Sequence, residues 1–398
     1  MTDTTRRALF TALPIGAAGA ATIGAVGAAT IGTQQRPVAQ TDIASVHLAP
    51  VPQQFGAVGD GRADDSDALA AWLAVGAAGT TLRLPSGQYR TTRTLATRIG
   101  AKGRGLVIVG DGAANTMLLM DGSVDRPAVR IVGNMPEFDH FHLSGIRIER
   151  PDRGMNGFGN GAGLLIENVR QFELDDLRTF RNGYGVHLIG CLVGRINNLL
   201  SYYDRQGIRL EQGKYQSTPN VIAIDNCSIL ASLRIGVEIL TGTSISMRGT
   251  TIESTGVEAP SQRSVGLFVG QSGLAGGVAI DANALYFEDN HGSDIVVDHP
   301  DRLLTYGFTR CVFNRFAKSA LGPAIVFGSQ NGPGAARAFL DLSGSAFLGH
   351  GGDYRAVRTR PAVRFDFPRG YAGVRLFDDS ALYQFDEERP AAEPFRVR

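Results

Sequence analysis

Residues 185–189 read GVHLI, residues 207–211 read GIRLE and residues 236–240 read GVEIL, and these three phrases decide the fold. In each, a glycine leads into two apolar positions separated by a single outward residue, a period of two that belongs to a strand with one buried face. The same phrase recurs as GLLIE at 163, GLFVG at 266, SDIVV at 293, AIVFG at 324 and AVRFD at 362. A second phrase alternates with it: FHLSGIRIE at 141, FELDDLRTF at 172, GRINNLLSYY at 194, IAIDNCSIL at 222, ISMRGTTIE at 245, IDANALYFE at 280, FLDLSGSAF at 339 and VRLFDDSAL at 374. The pair repeats about every 22 to 30 residues, the signature of stacked units that cannot bury their apolar faces alone. Two phrases per period require at least two strands per turn. Propellers and sandwiches would need hairpins, and tight two-residue hairpin turns between long alternating runs are missing. A single-stranded parallel β-helix, in which each coil stacks on the next at about 4.8 Å, satisfies the pattern.

Working toward the N-terminus, residues 55–73, FGAVGDGRADDSDALAAWL, read as the start of that solenoid. Glycines at 56, 59 and 61 supply turns, and Asp64 or Asp65 stands at a helix N-cap, offering its carboxylate to the first-turn N–H groups. The helix should begin near Ser66, present Leu69, Trp72 and Leu73 on one face, and cap the first strand edges. With FGAVGDG followed by DD, then LRLPSGQYR at 82–90 and VIVGDGAANTML at 107–118, the chain resembles the pectate-lyase-superfamily domains of the pectin-lyase-like right-handed parallel β-helix. The strongest part of the resemblance covers about 55–120, and a weaker repeat match continues to roughly 385. The resemblance implies an all-β right-handed parallel β-helix with an N-terminal capping helix. It also implies a polysaccharide lyase, glycoside hydrolase, epimerase or tailspike-like protein. The hydrolase branch shows paired aspartates near a GHG phrase, and none stands here: GYGVH at 183 and QGIRL at 206 occupy the corresponding kind of position, a departure from the hydrolase pattern.

The chain has 398 residues, 51 glycines and a formal net charge of +1, so bulk charge points to neither nucleic acid nor a strongly acidic partner. Arginine supplies nearly all the positive charge, with lysine only at 102, 214 and 318, a composition suited to bidentate contacts with carboxylates. Three cysteines, Cys191, Cys227 and Cys311, make no disulfide framework and read as small buried hydrophobes.

At the start, TTRRALFTALPIG places Arg6 and Arg7 before a mildly apolar run that lasts to about residue 32, similar to a twin-arginine export signal. The expected organisation is therefore an export signal and linker at 1–40, a β-helix at 50–385 whose cap and first coils occupy 50–125, and a tail at 386–398. The expected location is the periplasm or outside the cell, with no membrane association once the signal is removed.

Candidate chemistry gathers on coils 185–240. Registering the phrases puts His187, Arg209 and Glu238 at one outward position on three consecutive coils, with Glu211 two residues beyond Arg209. The loop QGKYQSTP at 212–219 adds Lys214 and Tyr215, while Tyr202, Tyr203 and Asp204 enter the same coil from its other side. A sugar site uses this mixture: aromatic faces for stacking, cations for uronate carboxylates, and an acid or base near the glycosidic oxygen. For glycoside hydrolysis the expected catalytic groups are Asp204, Glu211 and Glu238. For β-elimination they are Arg209, Lys214, His187 or Tyr215. The substrate expected is a polysaccharide containing uronate; an ion-pair ladder on a non-catalytic glycan-binding or tailspike-like scaffold is the other reading. Asp60, Asp64 and Asp65 lack the ligand spacing of calcium loops, so no metal site is assigned, although a lyase would admit calcium. Asp176, Asn198 and Asn226, with neighbours Asp175, Asn197 and Asp225, form columns that read as a turn ladder.

Overall fold

The computed structural model describes residues 49–100, 105–121, 125–137, 139–151, 159–214, 217–258, 260, 263–270, 278–298, 305–315, 322–328 and 339–348, and the backbone of short strands at 363–365, 375–376 and 383–385. The export signal expected at 1–40, Tyr215 and the tail at 386–398 lie outside the described residues.

Among the described residues the strands form two parallel sheets, of 19 and 11 strands. The GxxΦ phrases make the smaller sheet. Leu164, Val186, Ile208, Val237, Leu267, Ile295 and Ile325 pair in one register column, and Ile166, Leu188, Leu210, Ile239, Val269, Val297 and Phe327 in a second. All fourteen are buried. Each contributes roughly 1.5–3 kcal/mol relative to exposure, and a one-residue slip of any coil would turn its pair outward, so the register is strongly specified.

The second phrase makes the larger sheet, bending once within each coil. The bend residues Asp176, Asn198, Asn226, Gly249, Ala284 and Arg310 all have φ between 46° and 55°. Each directly follows one of the register partners Asp175, Asn197, Asp225, Arg248, Asn283 and Thr309. Beside the bend, Asn197 Nδ2 donates to Asp175 Oδ1 at 2.6 Å and Asn226 Nδ2 to Asn197 Oδ1 at 3.1 Å, so the ladder crosses between the two expected columns, while Asp176 accepts Ala113 N at 3.0 Å instead. From Asn220 on, the bend splits this phrase into two short strands, so those coils carry three.

The helix spans Ser66–Gly76 and buries Leu69, Trp72 and Leu73, with Trp72 Nε1 donating to Pro50 O at 2.8 Å. Its last residue is Gly76, where a Cβ would sit 2.5 Å from Leu82 Cδ1 and 2.7 Å from Leu106 Cδ1, so only glycine lets the helix end pack this closely on the first layers of the solenoid core. Of the two aspartates expected to serve the helix N-terminus, Asp64 does so and Asp65 does not. Asp65 holds the N-cap position without capping; its carboxylate folds back to accept Val58 N at 2.7 Å and Gly59 N at 3.2 Å. Asp64 takes the helical end instead, accepting Ser66 N at 3.1 Å and the Ser66 hydroxyl. Holding the FGAVGDG turn uses the carboxylate that local pattern alone would give to the helix. Cys191, Cys227 and Cys311 are buried and unpaired, and burial pushes their thiols up to about 12, 11 and 11. Among the described residues no helix is long and apolar enough to cross a membrane.

Candidate functional site

His187 pairs with Arg209, and Arg209 with Glu238, as register partners on consecutive coils of the smaller sheet. Their side chains point away from the core, yet they are far from solvated. The side chains of His187, Arg209, Glu211 and Glu238 are only 12%, 21%, 24% and 10% exposed, values low enough to place them in a recess and not on an open face.

Arg209 organises the cluster. Its Nε and Nη2 donate to Glu211 Oε2 at 3.1 and 2.9 Å, and its Nη1 donates to Glu238 Oε2 at 2.7 Å. His187 Nε2 lies 3.0 Å from Glu211 Oε1. Tyr184 lies beneath both: Arg209 Cζ is 5.3 Å from its ring centroid, and the His187 ring is 4.8 Å away. Gln206, in register with Tyr184 on the next coil, is buried and lies close enough to Glu238 to favour its charged form.

The two carboxylates are set apart by their surroundings. Burial opposes ionisation of Glu211, but the contacts from His187 and Arg209 outweigh it and hold the carboxyl down to about 2. Burial raises the Glu238 carboxyl above its ordinary range, against the pull of Arg209 and with the added push of the Glu211 charge. Burial also works against the Arg209 charge, but Glu238 and Glu211 prevail and keep the guanidinium protonated. A carboxylate that stays ionised beside one that holds its proton longer is the electrostatic arrangement of acid/base pairs.

The other expected site residues go elsewhere. Lys214 is exposed in the turn after Glu211 and joins no ion pair among the described residues. Asp204 turns inward at the corner between the sheets and is fully buried. It accepts Thr179 Oγ1 at 2.6 Å, Ser201 Oγ at 2.7 Å, Asn182 N at 2.7 Å and Asn182 Nδ2 at 3.0 Å, which fixes the corner and leaves no lone pair facing a ligand. Tyr202 belongs to the larger sheet and Tyr203 to the bend that follows it, around that corner from His187.

Tyr184 and Gln206 are the residues the sequence reading missed. Strict alternation from Val186 and Ile208 turns both inward, but each is followed by a glycine at which the alternation loses its phase. The signal was the glycine itself. Gly185 and Gly207 lie so close to the next coil that a Cβ would come within 2.6 Å of its backbone oxygen, and strand alternation does not survive such a contact unchanged.

Among the described residues no group of His, Cys, Asp and Glu is gathered to hold a metal ion. The carboxylates of the cap are occupied by N–H groups: Asp60 accepts Arg62 N and Ala63 N, in addition to the contacts of Asp64 and Asp65 above.

The family described as rhamnogalacturonase A/epimerase, pectate lyase-like, matches residues 51–273, more than half of the chain. The chain belongs to this family. The matched span holds the cap, the corner of Asp204 and every member of the Arg209 cluster. No curated protein matches the sequence.

Solved structures share the fold at low identity. The enzymatically active domain of tailspike protein 2 from bacteriophage CBA120 is similar at TM-score 0.58 and 13% identity, over 83% of this chain and 46% of that one. The gp42 tailspike of Acinetobacter phage vb_AbaP_AS12 matches at TM-score 0.57 and 10% identity, over 88% and 66%. The catalytic unit of an α-1,3-glucanase from Streptomyces thermodiastaticus matches at 0.55 and 14%, over 85% and 69%. This chain thus spans less than half the length of the CBA120 tailspike domain. At these identities the likeness is one of fold: a right-handed parallel β-helix.

Proposed function

We propose that this is an exported polysaccharide-cleaving enzyme acting on a uronate-containing glycan at the outer face of the smaller sheet, by glycoside hydrolysis. The observation that carries the reading is the pair of carboxylates held by one guanidinium, Glu211 ionised and Glu238 with its acidity weakened. In this reading Glu238 delivers the proton to the glycosidic oxygen and the ionised Glu211 acts as the nucleophile. Tyr184 offers a ring for stacking, and His187 holds Glu211 in place. Hydrolysis is favoured over β-elimination because, among the described candidates for a base, Arg209 is kept protonated by two carboxylates, His187 is engaged with Glu211 and Lys214 stands outside the cluster.

The polysaccharide is supported by membership of a pectate lyase-like family, and export by the Arg6–Arg7 run. The test is turnover of a panel of uronate and neutral polysaccharides, followed both by reducing ends and by ultraviolet absorbance of unsaturated sugars. Reducing ends without the absorbance support hydrolysis; the absorbance moves the reaction to elimination. One observation favours a second reading, a non-catalytic glycan-binding scaffold: Arg209, Glu211 and Glu238 already satisfy each other as a closed ion-pair ladder. Glycan binding with no product of either kind decides for it.

A further inference from the structure

Apart from Tyr184 in the Arg209 cluster, the paired aromatic rings among the described residues fall into two groups. In the core, Phe287 stacks on Phe313 and Tyr306 meets Phe327 edge-on, and all four are essentially sealed from solvent, so packing accounts for them. Phe180, Tyr202 and Tyr203 have no such account, because they stand at the outer side of the larger sheet and its following bend, where they bury nothing of the solenoid interior.

These three rings are ordered by one another. Phe180 and Tyr202 are register partners on adjacent coils, stacked with centroids 5.6 Å apart and planes 17° apart. Tyr203 meets Tyr202 edge-on at 4.3 Å and donates its hydroxyl to Glu258 Oε1 at 3.1 Å. Arg181 and Arg147 lie over the Phe180 ring, 4.7 and 5.5 Å from its centroid. The stack stops at Tyr202, since its partner on the following coil is Leu230, too short to cover a ring, and Tyr202 is left 39% exposed.

Arg178 completes the surface. It faces outward two residues before Phe180, in register with Leu200, so its backbone stands roughly 8 Å diagonally from that of Tyr202. Among the described residues it makes no hydrogen bond or ion pair, whereas Arg147 is paired with Glu149. Three guanidinium groups, Arg147, Arg178 and Arg181, stand with Glu149 and Glu258, both already engaged, and Glu253 follows two coils beyond Tyr202 on the same column.

We propose that this face is a second carbohydrate-binding surface, which takes an acidic sugar with its ring on Tyr202 and its carboxylate on Arg178. Ring stacking on an exposed tyrosine supplies affinity, and a free guanidinium supplies a charge-assisted, bidentate hold on a carboxylate. The ligand class is that of the proposed function, on which this inference rests for the identity of the sugar. It shares no residue with the Arg209 cluster and lies across the Asp204 corner from it. Two such faces on the same coils let one long chain be gripped away from the bond that is cut, a gain in effective concentration without any new catalytic group.

The experiment is calorimetric titration of the full chain and of three variants, Arg178→Ala, Tyr202→Ala and Arg209→Ala, with galacturonate and alginate oligomers, and with maltohexaose as a neutral control. Arg178→Ala and Tyr202→Ala are each expected to weaken uronate binding by about tenfold or more, and Arg178→Lys to recover only part of it. The Arg209→Ala protein is expected to keep a binding event that falls with added salt. Uronate binding unchanged in both Arg178→Ala and Tyr202→Ala, or no uronate binding by the unsubstituted protein, overturns the inference. Binding lost in Arg209→Ala and kept in the other two removes this surface and leaves the proposed active site standing. The converse pattern, with turnover intact in Arg209→Ala, removes that active site and leaves this surface.

Discussion

Replacing Asp204 by alanine takes away the acceptor of four hydrogen bonds in a corner with no access to water. The donors do not suffer equally. The Thr179 and Ser201 hydroxyls can rotate, and Asn182 Nδ2 keeps Ile148 O at 3.3 Å and Phe180 O at 3.2 Å. The Asn182 backbone N–H is left with nothing, which costs about 1–3 kcal/mol. The cost depends on pH, because burial pushes the Asp204 carboxyl up to about 6 despite its hydrogen bonds. The folded-state value lies above the unfolded one, near 3.9, so the linked stability is fully present below the unfolded value and is lost as pH rises through about 6. Between pH 7 and pH 4 the unsubstituted protein therefore gains about 2 kcal/mol over the variant from this group alone. Urea unfolding followed by circular dichroism at the two pH values measures both quantities. A cost that is the same at both, or one below about 0.5 kcal/mol throughout, refutes the reasoning. If the folded variant loses turnover while its stability holds, Asp204 belongs to the chemistry after all.

Trp72→Ala is expected to cost about 3–5 kcal/mol in the same assay, since the ring is 3% exposed against the first coils; a change below about 1 kcal/mol would make the cap peripheral. Glu238→Gln removes the proposed proton donor, and turnover of the active polysaccharide is expected to fall about 100-fold or more, with near-native residual turnover excluding that role. Arg209→Ala is expected to lower turnover by an order of magnitude or more and, because it leaves the largely buried Glu211 and Glu238 without their counter-charge, to destabilise by more than the roughly 1 kcal/mol of an exposed pair; unchanged turnover would assign the cluster to structure. Replacing Arg6 and Arg7 by lysine is expected to leave precursor in the cytoplasm, and normal export would remove the twin-arginine reading.

Much of this was legible in the amino acids, for a physical reason. Strand register is written in side-chain alternation, and a solenoid writes it again on every coil, so aligning GVHLI, GIRLE and GVEIL was enough to bring His187, Arg209 and Glu238 onto one column. Corners carry no such redundancy. Asp204 follows two tyrosines and precedes an arginine, a context that reads as solvent-facing, and only the left-handed turn at Tyr203 swings its carboxylate into the interior. That same turn carries Tyr202 and Tyr203 away from His187. The cap shows the complementary limit, since Asp64 and Asp65 are neighbours of the same type and only the folded path of residues 57–59 decides which of them reaches the helix.

The left-handed bend in the larger sheet governs how such a molecule can change over generations. Asparagine, aspartate, glycine, alanine and arginine all occupy it, so the position is conserved as a conformation and free as a residue. Adding or deleting one residue between the bend and a flanking strand would throw that strand out of phase with both neighbours, exposing a buried column on either side. Segments inserted at the corners leave the phase untouched, and so does duplication of an entire coil. Lineages with this architecture are thus channelled toward two kinds of variation, decorated corners and altered coil number, while the coil itself stays fixed.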